Sequence, residues 1–282
     1  MEQAMLTLYS KFLESQNSSL TEPVVAKITT NNKLPLPLKK DLFFLLTDES
    51  GLPDGFLGYL IPHGTNVPVA VNNIIQLTED LSHLTSGDIV RFNPTKKSLR
   101  VLYRANSDNN SFLLTERCNS FCIMCSQPPR SVDDSYIADE IIQAIPLLPR
   151  NTREIGITGG EPTLQGEKFL EIIRQCRNYL PNTSLHVLTN GRNFEHEILA
   201  KKVSDIHHFD LMLGIPLYSD LANVHDFIVQ AKGAYDQAIR GILNLKKYSQ
   251  QVEIRIVILK QNYKRLPNLA EFIARNLTFV DQ

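Results

Sequence analysis

The chain has 282 residues, a hydrophobic fraction of 43%, a charged fraction of 21% and a formal net charge of −1. This composition is typical of a globular protein with a sizeable core, and the near-zero net charge excludes broad electrostatic binding to nucleic acid. The N-terminal residues contain no signal-peptide core, and no apolar run is long enough to span a bilayer. We therefore expect a cytoplasmic protein of two unequal domains that does not act at a membrane.

Residues 1–105 are predicted to form a small, mostly β domain. Short apolar runs alternate there with turn sequences such as NNKLP and SGLPDG. The runs Asp88–Phe92 and Leu99–Tyr103, joined by the polar sequence NPTKKS, predict a hairpin. The other predicted strands are Val24–Thr29, Asp41–Leu46, Phe56–Ile61 and Val67–Val71. The polar residues 106–110 are predicted to form a linker.

From residue 111 onward, short apolar strands alternate with amphipathic helices. The predicted strands are SFLLTE, EIGIT, LHVLT, DLMLGI and EIRIVIL, and the helices that follow them are Ser135–Ile145, Glu167–Tyr179, Phe194–Val203, Tyr235–Tyr248 and Leu266–Asn276. Five β/α units in succession predict an α/β fold with a parallel sheet or barrel and helices outside. In such folds the functional side chains lie on the loops after the carboxyl ends of the strands.

Three cysteines, Cys118, Cys122 and Cys125, lie in the loop after the first of these strands. Three thiolates at spacings of four and three residues can bind three corners of an iron–sulfur cube and leave the fourth iron open to a small molecule. A zinc knuckle is the alternative, and it would need a fourth ligand such as Cys176 or His186. A disulfide framework is a poorer explanation, because four cysteines in this length, three of them clustered, would cross-link almost nothing.

A second motif, GGEP, follows the second predicted strand at residues 159–162. Its two glycines permit a close approach of the backbone to a ligand, and its proline fixes the exit of the turn. Glu161 would then be held at the mouth of the sheet. A purely structural turn between a strand and a helix is the alternative interpretation.

The cysteine motif after a first strand, combined with ITGGEP at the end of a second, resembles the radical S-adenosylmethionine (SAM) superfamily. Within it, the stretches LLTERCNSFCIMCSQPPR, LTNGR, GIPLYSD and HDFIVQAKGAYD are similar to the radical SAM maturase of the His-Xaa-Ser system, a peptide-modifying subfamily. The resemblance covers residues 111–282. It implies a partial (β/α)6 barrel that lacks most of its last unit, because the sixth strand would begin near Thr278–Val280.

The resemblance also implies the cofactors. Cys118, Cys122 and Cys125 would hold a [4Fe-4S] cluster, and the amino and carboxylate groups of SAM would chelate its open iron. One electron from the cluster would release methionine and a 5′-deoxyadenosyl radical, which abstracts hydrogen from the substrate. The residues implied for SAM binding are Met124, Gly159, Gly160, Glu161, Pro162, Asn190, Ser219 and Arg255.

Several of these residues have individual roles or alternatives. The position of Met124 is usually aromatic in the superfamily and contacts the adenine, which a thioether can also do. Asn190, at the end of the third strand, could meet SAM or substrate, or simply form an Asn-Gly turn. Pro216 stands where relatives often have a serine, so we expect ribose binding to shift to Tyr218 or Ser219.

Arg255 lies in the apolar run EIRIVIL and is expected to point into the barrel toward the SAM carboxylate, although a solvated arginine on an alternating strand is equally consistent with the sequence. His225 and Asp226 follow the fourth strand, where we expect helix capping or a substrate loop rather than acid–base catalysis. Cys176, in the middle of a predicted helix, is expected to be a buried core thiol.

The sequence thus predicts a radical SAM enzyme that modifies a peptide or small protein, with the N-terminal domain recognising substrate or partner. The other expected partners are a reductant protein of the flavodoxin or ferredoxin type and a second maturase subunit. We do not expect nucleic acid to be a partner. The sequence identifies no catalytic residue beyond the cofactor ligands. Two alternatives remain, a truncated non-catalytic protein that binds a peptide or partner and a zinc-stabilised binding module.

Overall fold

The structure is a computed structural model that describes residues 8–11, 14–16, 19–47, 51–65 and 72–282. The chain divides into two compact units, one within Met1–Asp108 that includes Pro146–Leu148, and one formed by Asn109–Ile145 and Pro149–Gln282. Among the described residues, no helix is both long enough and apolar enough to cross a membrane.

The first unit is built on one eight-stranded mixed sheet. Its strands are β1 (Tyr9–Lys11), β2 (Glu14–Gln16), β3 (Val24–Thr29), β4 (Leu42–Leu45), β5 (Gly58–Ile61), β6 (Ile74–Gln76), β7 (Ile89–Asn93) and β8 (Ser98–Tyr103), with one helical turn, α1 (Leu36–Lys39). The strand order is β1-β8-β7-β3-β4-β5-β6-β2. The four strands β3 to β6 pair in parallel, and the remaining pairs are antiparallel.

Both faces of this sheet are buried, as two neighbouring phenylalanines of β4 show. Successive side chains of a strand point to opposite faces. Phe43 lies in one apolar cluster and packs edge-to-face against Phe92, at 6.3 Å between ring centroids. Phe44 lies in a second cluster and contacts Phe56 and Tyr59. Aromatic side chains are therefore buried on both faces, and their burial contributes to the stability of the sheet.

The predicted strands of the first unit match the structure closely. Val24–Thr29 is β3 without a shift, and the predicted hairpin is the antiparallel pair β7–β8. The strands predicted at Asp41–Leu46 and Phe56–Ile61 are present but shorter. The strand predicted at Val67–Val71 lies outside the described residues.

The second unit contains a five-stranded sheet in which all strands run parallel, in the order β13-β12-β11-β10-β9. The strands are β9 (Asn110–Leu113), β10 (Glu154–Thr158), β11 (Ser184–Leu188), β12 (Leu211–Pro216) and β13 (Gln251–Arg255). The helices are α2 (Ser135–Ala144), α3 (Glu167–Tyr179), α4 (Glu197–Ser204), α5 (Ala222–Val229), α6 (Ala234–Lys247) and α7 (Leu266–Asn276). Short 3₁₀ turns lie in the first unit at Glu79–Leu81 and farther along the chain at Ile145–Leu147, Pro162–Gln165, Arg192–Glu195 and Tyr263–Arg265. Consecutive strands are neighbours, so the sheet winds in one direction as part of a barrel.

The two faces of this parallel sheet differ. The outward side chains, among them Ile155, Val187 and Leu213, are fully buried, and helices such as α3 contribute Phe169 and Ile173 to the same core. The inward residues alternate with these and are mostly half-exposed or exposed. The inner face includes the small or polar residues Gly156, Thr158, His186, Gly214 and Glu253 as well as Met212 and Leu188, and the functional groups of this unit lie on it or at its edge.

The structure corrects the sequence prediction in four places. Helix α5 was expected to be a loop. Strand β13 begins before EIRIVIL and ends at Arg255, whose register partner on β12 is Pro216, the last residue of that strand. Strand β9 begins at Asn110, inside the predicted linker. Residues 278–280 form no strand, and pairing along β13 begins only at Asp281, whose N–H donates to the Val252 carbonyl at 3.0 Å.

Candidate active site at the carboxyl ends of the strands

Three free cysteines lie in the loop after β9, which we call the cysteine loop (residues 115–125). Cys118 and Cys122 are half-buried and Cys125 is exposed. All three line one cavity of about 230 Å³ at the carboxyl ends of the strands. Of the residues predicted to bind SAM, those that line the same cavity are Gly159, Gly160, Asn190 and Arg255. The parallel sheet thus brings together residues from four different β/α units.

The thiols influence one another electrostatically. Burial raises the pKa of Cys118, and burial followed by the charges of Cys118 and Cys125 raises the pKa of Cys122 to about 11. Because all three thiols line the same cavity, they can act as one ligand set, and a metal must deprotonate them in order to bind.

The GGEP turn packs directly against the start of the cysteine loop. The Gly160 N–H donates to the Thr115 carbonyl at 2.7 Å, and the Glu161 N–H donates to the Arg117 carbonyl at 2.8 Å. A Cβ atom on Gly160 would lie 2.1 Å from the Arg117 oxygen, and one on Gly159 would lie 2.7 Å from the Thr115 oxygen. Both glycines are required by this backbone contact, whatever else they bind.

The carboxylate of Glu161 is fully buried and saturated with hydrogen bonds. One oxygen accepts from the Thr163 N–H at 3.1 Å, the Thr163 hydroxyl at 2.5 Å and the Thr189 hydroxyl at 2.7 Å. The other accepts from the Asn190 N–H at 2.7 Å. Burial raises the pKa of this carboxyl, and the hydrogen bonds from Thr163 and Asn190 oppose the rise. Glu161 thus connects the GGEP turn to the loop after β11 and does not line the cavity.

Two residues of the loop after β11 reach the cysteine loop. The Asn190 side-chain amide donates to the Asn119 side chain at 2.5 Å and lies 3.9 Å from the Cys118 sulfur. Arg192 donates to the Asn119 carbonyl and to the Ser120 hydroxyl. The sequence LTNGR gave no reason to single out Arg192, because the two residues of the cysteine loop that it contacts lie more than seventy residues earlier in the chain.

Helix α5 supports the cysteine loop from the other side. The Phe121 N–H donates to the Val229 carbonyl at 2.9 Å, and the Ile123 N–H donates to the Ile228 carbonyl at 3.0 Å. Met124 and Cys122 pack against the apolar cluster that contains Ile228, Val229 and Tyr218. The helix that the sequence prediction missed is therefore part of the scaffold of the site.

A buried aspartate, Asp134, ties down the first residues of the cysteine loop. Its carboxylate accepts from the Thr115 hydroxyl at 2.9 and 3.0 Å, from the Glu116 N–H at 2.6 Å and from the Arg117 Nε at 3.0 Å. The sequence analysis missed this residue. Its position directly before the predicted helix at Ser135 was the available signal, since Asp is common there.

The remaining predicted residues lie around the cavity in different ways. Tyr218 lines it, and burial, with a smaller effect of the nearby thiols, raises its pKa. Ser219 is fully buried beneath, where its hydroxyl accepts from the Leu221 N–H at 3.1 Å. Pro162 is buried at the start of its 3₁₀ turn. Arg255 points toward the cavity, and its guanidinium lies 3.2 Å from the Glu253 carboxylate.

Of three further side chains, Asp226 and Cys176 lie as expected, whereas His225 is buried in α5 and neither caps a helix nor lies in a loop. Asp226 caps helix α6, because its carboxylate accepts from the N–H groups of Gly233 and Tyr235 at 2.6 and 2.9 Å. His225 is buried, and burial lowers its pKa to about 4. Cys176 is buried in α3, and burial raises its pKa to about 12. None of the three lines the cavity.

Comparison with known proteins identifies the family. The pattern of the radical SAM superfamily matches residues 112–273, which is more than half of the chain. The chain belongs to the radical SAM superfamily. Membership implies a [4Fe-4S] cluster and SAM as cofactors.

Two curated relatives match the radical SAM part of the chain. The Fe-coproporphyrin III synthase of Methanosarcina barkeri is 26% identical over 57% of this chain and 39% of its own length. The pre-heme d1 synthase of Dinoroseobacter shibae is 28% identical over 55% of this chain and 38% of its own length. The crystal structure of Streptococcus suis SuiB is similar with a TM-score of 0.47 and 16% identity, over 63% of this chain and 38% of that chain. This radical SAM chain therefore spans less than half the length of the curated relatives that it matches.

The residues present fit an open-sided iron–sulfur cluster. Three thiols face one cavity and, within the described part of the chain, no three His, Cys, Asp or Glu side chains converge closely enough to bind one metal ion. Both candidates for a fourth zinc ligand are occupied elsewhere. Cys176 is buried in α3, and His186 lies 2.7 Å from Glu253. A cube binds each cysteine to a different iron, so it needs wider sulfur spacing than a single ion does.

Proposed function

We propose that this chain is the core of an enzyme that uses SAM and a [4Fe-4S] cluster to abstract a hydrogen atom from a peptide or small protein. The observation that carries the proposal is the convergence of the three cysteines, the two glycines and Arg255 on one cavity. When bound and reduced, the cluster supplies the electron that cleaves SAM to methionine and the 5′-deoxyadenosyl radical.

The residues of the cavity have distinct proposed roles. Cys118, Cys122 and Cys125 hold the cluster. The backbone carbonyls at Gly159 and Gly160, with the amide of Asn190, accept the SAM ammonium, and Arg255 binds the SAM carboxylate by charge-assisted hydrogen bonds. Met124 and Tyr218 border the adenosine, whereas Glu161, Pro162 and Ser219 support the loops from beneath.

The peptide substrate is proposed from the sequence. The stretches around the cysteines and in LTNGR, GIPLYSD and HDFIVQAKGAYD are similar to the His-Xaa-Ser maturase subfamily. On this proposal the N-terminal unit recognises the substrate or a second maturase subunit, a flavodoxin- or ferredoxin-type protein supplies the electron, and the enzyme works in the cytoplasm. A tetrapyrrole substrate is the second candidate, because both curated relatives are named for haem-related products.

Anaerobic iron–sulfur reconstitution tests the cofactor assignment. We expect cluster absorption and iron in the wild-type protein, and loss of both in Cys118→Ala, Cys122→Ala and Cys125→Ala. Cys176→Ala is the matched control, because this thiol is buried away from the cavity, and it should retain iron. Zinc uptake without iron would favour the zinc-stabilised module.

The substrate class is tested by tracing the hydrogen atom. The reconstituted enzyme is given SAM, dithionite and either a peptide digest or a tetrapyrrole extract, each from cells grown in deuterated medium. Deuterium in the 5′-deoxyadenosine from the peptide pool supports the proposal. Deuterium only from the tetrapyrrole extract supports the second candidate. Cluster assembly with no 5′-deoxyadenosine at all would favour a non-catalytic binding protein.

A further inference from the structure

A polar pair bridges three strands on the inner face of the sheet, beside the cavity. The Nε2 atom of His186 on β11 lies 2.7 Å from the Glu253 carboxylate on β13. The strand between them, β12, presents Gly214. A Cβ atom on Gly214 would lie 3.2 Å from the His186 Nε2 and 3.1 Å from the Glu253 oxygen. The glycine therefore leaves the space through which the pair meets.

The pair contacts two residues that line the cavity proposed for SAM, although neither His186 nor Glu253 lines the cavity itself. Gly214 and Arg255 both line the cavity. A Cβ atom on Gly214 would also lie 2.9 Å from the Arg255 side chain, whose guanidinium contacts Glu253 at 3.2 Å. His186, Glu253 and Arg255 thus surround one point at the wall of the cavity.

Stability does not explain the pair. Strands of a parallel sheet are ordinarily apolar on both faces, so an imidazole and a carboxylate facing inward depart from the pattern. The side chains are 29% and 21% exposed, and a hydrogen bond between two partly exposed side chains contributes little to folding. In the register of the strands, His186 lies beside Gly156, which lies in turn beside Ser111, and on its other side His186 is paired with Met212. An accessible polar pair beside small residues is suited to a ligand.

The chemistry of the pair fixes which atom faces that ligand. An ionised carboxylate only accepts hydrogen bonds, so Nε2 of His186 carries the proton that Glu253 accepts. In the neutral ring, Nδ1 is then an acceptor. Among the described residues, no hydrogen bond reaches His186 Nδ1.

We propose that His186, oriented by Glu253, binds a hydrogen-bond donor of the substrate, an N–H or O–H group of the peptide, beside the SAM cavity. Glu253 is a positioning residue, and Gly214 keeps the space between them open. The inference rests on the proposed peptide function and deepens it, because it names the residue that selects the substrate group.

The experiment is the deuterium transfer from the labelled peptide pool, expressed as the fraction of 5′-deoxyadenosine that carries deuterium. Because every cleaved SAM gives one 5′-deoxyadenosine, this fraction reports how often the radical takes its hydrogen atom from the substrate, independently of how much SAM is cleaved. His186→Phe keeps the ring and removes both nitrogens, and the fraction should fall about tenfold, as expected for one lost hydrogen bond. His186→Asn keeps an acceptor at the Nδ1 position and should recover part of the loss.

Two Glu253 variants test the positioning role. Glu253→Gln retains an oxygen that accepts from Nε2 and should remain close to wild type, whereas Glu253→Leu should approach His186→Phe. In ¹⁵N-histidine spectra of the full chain, His186 should show the Nε2–H tautomer in the wild type and in Glu253→Gln, and a mixture in Glu253→Leu. A merely structural pair would alter stability without this ordering of the variants.

Ser184→Ala is the matched control, because Ser184 lies two residues before His186 on the same face of β11 and bonds Asp210 at 2.6 Å instead. It should leave the labelled fraction unchanged. A labelled fraction in His186→Phe equal to that of the wild type overturns the inference. If the wild type itself transfers no deuterium from peptides, the peptide function fails and the inference fails with it.

Discussion

The buried carboxylate of Glu161 accepts a hydrogen bond from the backbone N–H of Asn190 at 2.7 Å. This contact joins the loops after β10 and β11, and both of these loops contact the cysteine loop. The GGEP motif therefore acts through its protein contacts as well as through any ligand. Four predictions follow from such contacts in the second unit.

The first concerns the Glu161 carboxylate. Each of its oxygens accepts a backbone N–H, from Thr163 on one side and Asn190 on the other. In Glu161→Gln, an NH₂ group replaces one of the two carboxylate oxygens, so in either orientation of the amide one of these backbone N–H groups loses its acceptor. Burial raises the Glu161 pKa, so replacing the charged carboxylate by a neutral amide removes a cost of desolvation. The loss of one hydrogen bond to a buried backbone N–H is larger than this gain, and we expect the free energy of unfolding to fall by about 2 kcal/mol.

Urea denaturation without SAM measures this loss. Glu154→Gln, an exposed change at the start of β10, is the control and should cost less than about 0.5 kcal/mol. Unchanged stability of Glu161→Gln, combined with weaker SAM binding, would indicate that the carboxylate contacts SAM directly.

The second prediction concerns Asp134. Its two oxygens accept from the Glu116 N–H and the Arg117 Nε, so Asp134→Asn must lose one of these bonds in either orientation. Because the acceptor is a buried charged group, we expect a loss of about 2 kcal/mol and a lower iron content after reconstitution. Asp133→Asn changes the exposed neighbour and keeps an acceptor for the Ser135 N–H, so its stability and iron content should match the wild type. Equal behaviour of the two variants would contradict a role for Asp134 in holding the cysteine loop.

The third prediction concerns the close approach at Gly160. The Cβ atom of Gly160→Ala would lie 2.1 Å from the Arg117 oxygen, so the cysteine loop must move. We expect a loss of about 3 kcal/mol in stability and little cluster formation, because backbone cannot yield as a side chain does. Gly64→Ala meets no atom within 4 Å but has a φ of +78°, so it should cost only about 1 kcal/mol and leave the iron content unchanged. Normal iron content in Gly160→Ala would show that the contact is dispensable.

The fourth prediction is a pH dependence from His225. Burial lowers its pKa to about 4 in the folded protein, while an unfolded chain has a histidine pKa of about 6.5. Between these values the unfolded state binds more protons, so stability falls as the pH falls. The His225 contribution should decrease by about 2 kcal/mol from pH 7.5 to pH 5.

Denaturation at the two pH values measures this change by comparison with His225→Asn, whose amide oxygen can occupy the Nδ1 position and accept from the Tyr218 N–H. The stability difference between wild type and variant should shrink at pH 5. A constant difference for His225→Asn would contradict the lowered pKa.

Much of the second unit could be predicted from local sequence alone. Strand β10 and helices α3 and α7 have the predicted bounds, because alternation of apolar residues and turn residues is encoded within each segment. The same holds for the cysteine spacing, which is a property of the eight consecutive positions 118–125. Helix α5 was missed because its short segment contains His225 and Asp226, which suggested a loop.

The sequence by itself determined the order of the β/α units, the cysteine motif and the family. Only the tertiary structure decided that Glu161 is buried among the donors of Thr189 and Asn190, and that His186 meets Glu253, 67 residues later in the chain, across Gly214. The physical reason is that secondary-structure patterns depend on neighbours in sequence. Contacts between loops and across strands depend on sheet register and on the space that a glycine leaves, and neither can be read within one segment.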